Sequence, residues 1–162
     1  MAASVFTISN LSVGITCFAI VYILLRFGSK KVHYVWALFN VAAGMWGFGA
    51  FLVGLAKTAD MAFIFWKLAL IGAIFSPIIF YNVIVVLGDL NRRVLISLFY
   101  SYGVFFCLLT LFNLAGIDIS LIPDFVYYVR AVDYRWCVLI ALWASIVFYA
   151  GIELYRMLIK SS

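Results

Sequence analysis

Charge is scarce in this chain. Only 10% of its 162 residues are Asp, Glu, Lys or Arg, where a soluble domain carries about a quarter. A water-soluble fold of this size could not cover its own apolar surface with so few polar groups. Histidine is nearly absent, and the one present, His33, starts an apolar segment; a lone imidazole makes no metal cluster. The three cysteines, Cys17, Cys107 and Cys137, are odd in number and scattered without a CxxC pair, which argues against a disulfide framework and a thiol redox site. There is no glycine-rich phosphate loop, no nucleophile beside a base and no pair of close carboxylates, so nothing points to an enzyme or to a cofactor. Proline occurs twice, at Pro77 and Pro123, and leaves the long apolar runs almost unbroken.

Those runs are what the sequence has in abundance. It is 69% hydrophobic with mean hydropathy +1.22, so its solvent is the lipid bilayer. Between Lys67 and Gly88 there is no charge; at 1.5 Å per residue such a stretch crosses a hydrocarbon core of about 30 Å. The same reading finds five segments, at residues 8–27, 33–55, 61–87, 94–115 and 136–158. The expected fold is an all-α, single-domain, polytopic membrane bundle of five transmembrane helices. Pro77 frees the carbonyl near Ala73, for which Ser76 or a neighbouring helix can compensate. Residues 116–135 form the one long connection. With Pro123 and the potential cap Asp124 before Phe125, Tyr127, Tyr128 and Tyr134, it reads as a short helix lying on the membrane, either an aromatic anchor or the cap of a cavity.

Cations orient the bundle. Arg26, Lys30, Lys31, Arg92, Arg93, Arg156 and Lys160 fall at one end; Lys57, Lys67, Arg130 and Arg135 fall at the other. The richer end is expected in the cytoplasm, with the N-terminus outside and the C-terminus inside. The net charge of +5 is thereby used by topology, and nucleic acid is not invoked. The first span has no positive segment before it and its cations follow the apolar run, unlike a cleaved signal peptide.

Ala43, Gly47, Ala50 and Gly54 recur at steps of four, three and four on the second span. Small stripes let membrane helices approach closely; packing within the chain and a dimer face are both open. Lys67, at the end of its span, is read as a snorkelling lysine. Glu153, with Arg156 three residues on, is expected to meet Arg92 or Arg93 across the bundle as a structural ion pair. Asn40, Asn82 and Asn113 fit interhelical hydrogen bonds as well as ligand contacts. A small ligand, of unknown identity, would enter from the outer side near Trp46, Trp66 and the loop to Tyr134, where Gly72 and the kink at Pro77 leave space. Phe80, Tyr81, Asn82 and Tyr128 complete the candidate ligand contacts.

The stretch MWGFGAFLVGLAKTADMAFIFWKLALIGAIFSPIIFYN resembles the N-terminal seven-helix membrane region of bacterial histidine kinases. The resemblance rests on Trp46, Phe65, Trp66, Lys67, Gly72, Phe75, Pro77, Phe80, Tyr81 and Asn82, with YSYG from Tyr100 to Gly103 and the closing FYAGIELYR. It implies a sensor-like signalling module in a bacterial inner membrane. That family continues into two further spans and cytoplasmic signalling domains, whereas this sequence stops at IKSS; the expectation is a non-enzymatic module without its own output domain, acting through other membrane proteins or self-association. A small transporter or channel subunit is the alternative, though no internal repeat is visible and Pro77 is the one helix breaker at mid-span.

Overall fold

The computed structural model describes residues 5–121 and 127–161. Its five long helices are α1 (Val5–Phe27), α2 (Lys31–Leu55), α3 (Ala59–Leu87), α4 (Arg93–Leu111) and α5 (Tyr134–Ser161). All five are long and apolar enough to cross a membrane, so the fold is an all-α bundle of the expected class. A two-stranded antiparallel hairpin, β1 (Ile117–Leu121) and β2 (Tyr127–Ala131), joins α4 to α5. Short connections make the helices alternate in direction. The hairpin therefore shares one end of the bundle with the α2–α3 turn, and Arg92 lies at the opposite end.

Helix α3 is the axis: α2, α4 and α5 all pack on it, while α1 packs on α2. Its core face includes Trp66, Ala69, Leu70, Ile74, Ile78 and Tyr81, all buried. Thr58 starts it, its Oγ1 accepting the Met61 N–H at 3.3 Å. Helix α2 starts differently. The backbone N–H groups of Ser29 and Lys30 donate to Nδ1 of His33 at 3.0 and 3.2 Å, so the single histidine satisfies amides at a helix start.

The small-residue stripe of α2 lies within the chain. Gly47 meets Gly14 and Asn10 of α1, and Gly54 meets Thr7. Thr7, Asn10 and Gly14 are the buried residues of α1, spaced three and four apart, so each helix offers a narrow polar-and-small seam to the other. Ala50 is buried in the same region and Ala43 is partly exposed. A second small face of α2, containing Ala42 and Gly49, meets α3.

Two local expectations are corrected. Helix α4 ends at Leu111 rather than near residue 115. Asn113 adopts φ 61°, its N–H reaches Thr110 O at 3.3 Å and the Leu114 N–H reaches Leu109 O at 2.7 Å; this Schellman closure makes Asn113 a helix terminator and not an intramembrane amide. Asp89, at φ 48°, ends α3 in the same way, with the Leu90 N–H on Val85 O. The second correction is the connection after α4, where an extended hairpin replaces the expected surface helix. Ile117 and Ile119 of β1 and Tyr127 and Val129 of β2 pack with Val53, Trp66, Ala69 and Leu70. Asp118 and Arg130 face each other in the strand register with the outward residues. Pro123, Asp124 and Phe125, which carried the helix expectation, lie outside the described residues.

Candidate functional site

Pro77 lies inside α3 without ending it. Proline cannot donate to the carbonyl four residues back, which leaves Ala73 O without its helical partner. Helix α5 supplies one: the indole N–H of Trp143 donates to Ala73 O at 3.1 Å. Ser76 does not take this role; its hydroxyl donates to Gly72 O at 2.8 Å. The broken point of the axial helix is thus closed by a side chain of a different helix. A narrow apolar cavity of about 160 Å³ adjoins this contact, lined by Ala73, Ile74, Leu139 and Trp143 among others.

Toward the other end of α3 lies a polar cluster. Glu153 of α5 is only 3% exposed. Its Oε1 accepts from Nε and Nη2 of Arg92 at 3.0 and 2.9 Å and from the Tyr149 hydroxyl at 3.1 Å. Three charge-assisted bonds to one buried carboxylate satisfy it well. The Glu153 carboxylate beside it raises the Arg92 guanidinium above its ordinary value. Tyr81 of α3 faces the same cluster and is fully buried, yet its hydroxyl has no hydrogen-bond partner among the described residues. The cluster is built for holding charge, and the expected ion pair of Glu153 is formed with Arg92.

At the hairpin end, the Trp66 indole N–H donates to Tyr127 O at 3.0 Å, and the Tyr128 ring stands edge-on to Trp66 at 6.0 Å. Lys67 lies 4.9 Å from the Phe63 ring centroid and its Nζ donates to Leu111 O at 3.3 Å, a cation on the last carbonyl of α4. The turn into α5 is held by Asp133. Its Oδ1 accepts the Arg135 N–H at 2.9 Å and its carboxylate pairs with the Arg135 guanidinium, which holds Asp133 below the usual carboxylate range.

The six ligand contacts proposed from sequence do not form one site. Trp66 and Asn82 are sixteen residues apart on one helix, about 24 Å along its axis. Trp66 and Tyr128 meet at the hairpin end. Phe80 packs on Phe39 of α2 at 5.9 Å, Tyr81 turns to Phe99 and Tyr149, and the Asn82 amide donates to the Tyr100 hydroxyl at 3.3 Å. Trp46 is 43% exposed on the outside of α2, apart from the others. Gly72 does line an apolar cavity of about 240 Å³, with Ala42, Met45, Phe75 and Tyr100 among its walls, but none of the six candidates lies in it and the glycine's own Cβ direction is closed. A Cβ there would collide with Ala42 O and lie 2.6 Å from Trp46 N, so this glycine lets α2 and α3 touch backbone to backbone.

Trp143, Tyr149 and Tyr102 are the side chains that sequence reasoning passed over. Tyr102 of α4 donates to Leu139 O of α5 at 3.1 Å. In the sequence they are three aromatics among many; only the carbonyl freed by Pro77 hinted that a donor was needed nearby. Comparison with protein-family models, with curated proteins and with solved structures gives no significant match.

Proposed function

We propose that this chain is a non-enzymatic, sensor-like signalling module of a bacterial inner membrane, acting through other membrane chains. The observation that carries the reading is the contact of Trp143 with Ala73 O at the Pro77 break. A proline-interrupted helix has a weak point, and here its hydrogen bonding depends on a neighbour. Shifting α5 against α3 exchanges that bond for a strained or lipid-exposed carbonyl, which is the kind of discrete choice between packings that a membrane signal needs. The resemblance to the seven-helix region of histidine kinases supports the same reading, and so does the placement of Trp66, Lys67 and Pro77 along the axial helix. The orientation proposed with it is N-terminus outside and C-terminus inside, supported by the cations at the Arg92 end.

The test is affinity purification of the tagged chain in mild detergent from its own host. The expected result is co-purification of a histidine kinase or response regulator, with the yield changed by Trp143→Phe. Substrate flux through the purified chain in liposomes, with no such partner, would replace this reading with the transporter alternative.

A further inference from the structure

Helices α4 and α5 both pack on α3 more closely than on each other. Among the described residues two polar ties join them, the Tyr102 hydroxyl on Leu139 O and Arg92, just before α4, on Glu153. Between these ties runs an apolar cleft of about 430 Å³, walled by Leu95, Phe99 and Tyr102 on one side and Leu142, Ile146 and Tyr149 on the other. From Leu95 to Tyr102 it extends about 10 Å along the helix axis. At its Arg92 end it adjoins a second hollow of about 380 Å³, formed by Asn91, Arg92, Arg93 and Leu98, with Leu95 lining both.

The two hollows differ in chemistry, and the order is that of a phospholipid. The cleft is oily and lies at membrane depth. The hollow beyond it carries two guanidinium groups where the span ends. Arg92 is tied by Glu153, but Arg93 is exposed and forms no salt bridge among the described residues; Asp89, in the same turn, pairs with neither. The backbone N–H groups opening α4 have no side-chain cap, since Arg92 precedes the helix without one. Basic pockets at the ends of transmembrane helices recognise anionic head groups, and guanidinium groups match phosphate oxygens in shape and charge.

We propose that the α4–α5 cleft and the Arg92–Arg93 hollow together bind one anionic phospholipid, with an acyl chain between the helices and the phosphate at Arg93. Arg92 remains committed to Glu153 and contributes field, while Arg93 supplies the direct contact. The site is independent of the signalling role proposed above.

Native mass spectrometry of the purified full chain tests this, with equal amounts of dioleoylphosphatidylglycerol and dioleoylphosphatidylcholine in the micelles. The wild-type chain is expected to retain phosphatidylglycerol preferentially. Arg93→Gln is expected to reduce that preference about fivefold, the effect of one basic residue at a charged membrane surface. Ser145→Leu, which fills the cleft from an exposed position that lines it, is expected to lower retention of both lipids while leaving the preference. Both substitutions are at exposed positions, and unchanged circular dichroism and melting temperature would establish that the variants are folded. Equal retention of the two lipids by the wild type overturns the proposal, as does a preference that survives Arg93→Gln. Inorganic phosphate alone giving the same thermal stabilisation as phosphatidylglycerol would reduce the site to an anion site and overturn the lipid. Efficient disulfide cross-linking of two copies through Ser145→Cys in bilayers, with the native cysteines removed, would show the cleft covered by a second chain and overturn it too.

Discussion

At the scale of single residues, two tyrosines beside one carboxylate have opposite energetic standing. Tyr149 donates to Glu153 Oε1, whereas the fully buried Tyr81 hydroxyl has no partner among the described residues. A hydrogen bond to a charged group contributes about 1.5–3 kcal/mol, and an unsatisfied buried hydroxyl costs about 1–3 kcal/mol. Tyr149→Phe is therefore expected to destabilise the chain by about 2 kcal/mol, while Tyr81→Phe keeps the ring packing on Phe99 and is expected to be neutral or stabilising. Reversible unfolding of the two variants in mixed micelles separates them. Equal losses would mean that the Tyr81 hydroxyl does satisfy a partner in solution, the neighbouring Arg92 guanidinium being the simplest. The same logic explains Trp143. The residue is 42% exposed and would be dispensable for burial alone, but its indole satisfies the carbonyl that Pro77 leaves open.

At the scale of elements, close approach decides what each helix tolerates. Gly72 lets α2 and α3 meet at their backbones, and even a methyl group there must displace one of them. Gly151 is equally central in its own helix, but a Cβ added to it meets none of the described residues within 4 Å. Replacing glycine by alanine in a helix interior gains about 1 kcal/mol where space allows. Gly151→Ala is thus expected to raise the melting temperature in detergent, and Gly72→Ala to lower it, because overpacking costs about 1–3 kcal/mol. A rise in both would show that α2 and α3 are not in backbone contact. The five spans were legible because apolar length is a strong signal in lipid. The hairpin was present in the sequence as well. IDISL and YYVRA each alternate between inward and outward residues, the period of a strand. That pattern competed with Pro123, Asp124 and a cluster of interfacial aromatics, which read as a capped surface helix. What decided in favour of strands is tertiary: Trp66 offers its N–H to Tyr127 O, and Val129 fills the space between α2 and α3 that would otherwise be open at that end. The candidate ligand site was not legible for a related reason. Its six residues share a chemical type but not a depth: the sixteen residues between Trp66 and Asn82 on one helix already separate them, and side-chain direction around a helix, which depends on the neighbours, separates the rest. Trp46 turned outward while Trp66 turned in.

At the scale of the whole molecule, the arrangement is an axial helix with three neighbours and a fourth helix outside them. Alternating directions place the α1–α2 turn at the Arg92 end and the α2–α3 turn at the hairpin end. Ser29 and Lys57, one in each turn, are both exposed and are separated by α2, so they must lie on opposite sides of the membrane if α2 crosses it. The Arg92 end holds seven of the eleven Lys and Arg residues, Arg26, Lys30, Lys31, Arg92, Arg93, Arg156 and Lys160, and basic residues near short loops are retained on the cytoplasmic side. Lys67 does not weigh against this: it reaches the end of α4 to bind Leu111 O, which is local structure and not a topogenic surplus. With the native cysteines replaced, Lys57→Cys is expected to react with a membrane-impermeant maleimide in intact cells. Ser29→Cys is expected to react only after the membrane is permeabilised. The reverse pattern would invert the orientation while leaving the bundle intact, and would mean that the α1–α2 turn, despite Lys30 and Lys31, is translocated. Reaction of both from the same side would be more serious, because α2 would then not span, and the backbone contact of Gly72 with Ala42 and Trp46 could not lie at membrane depth.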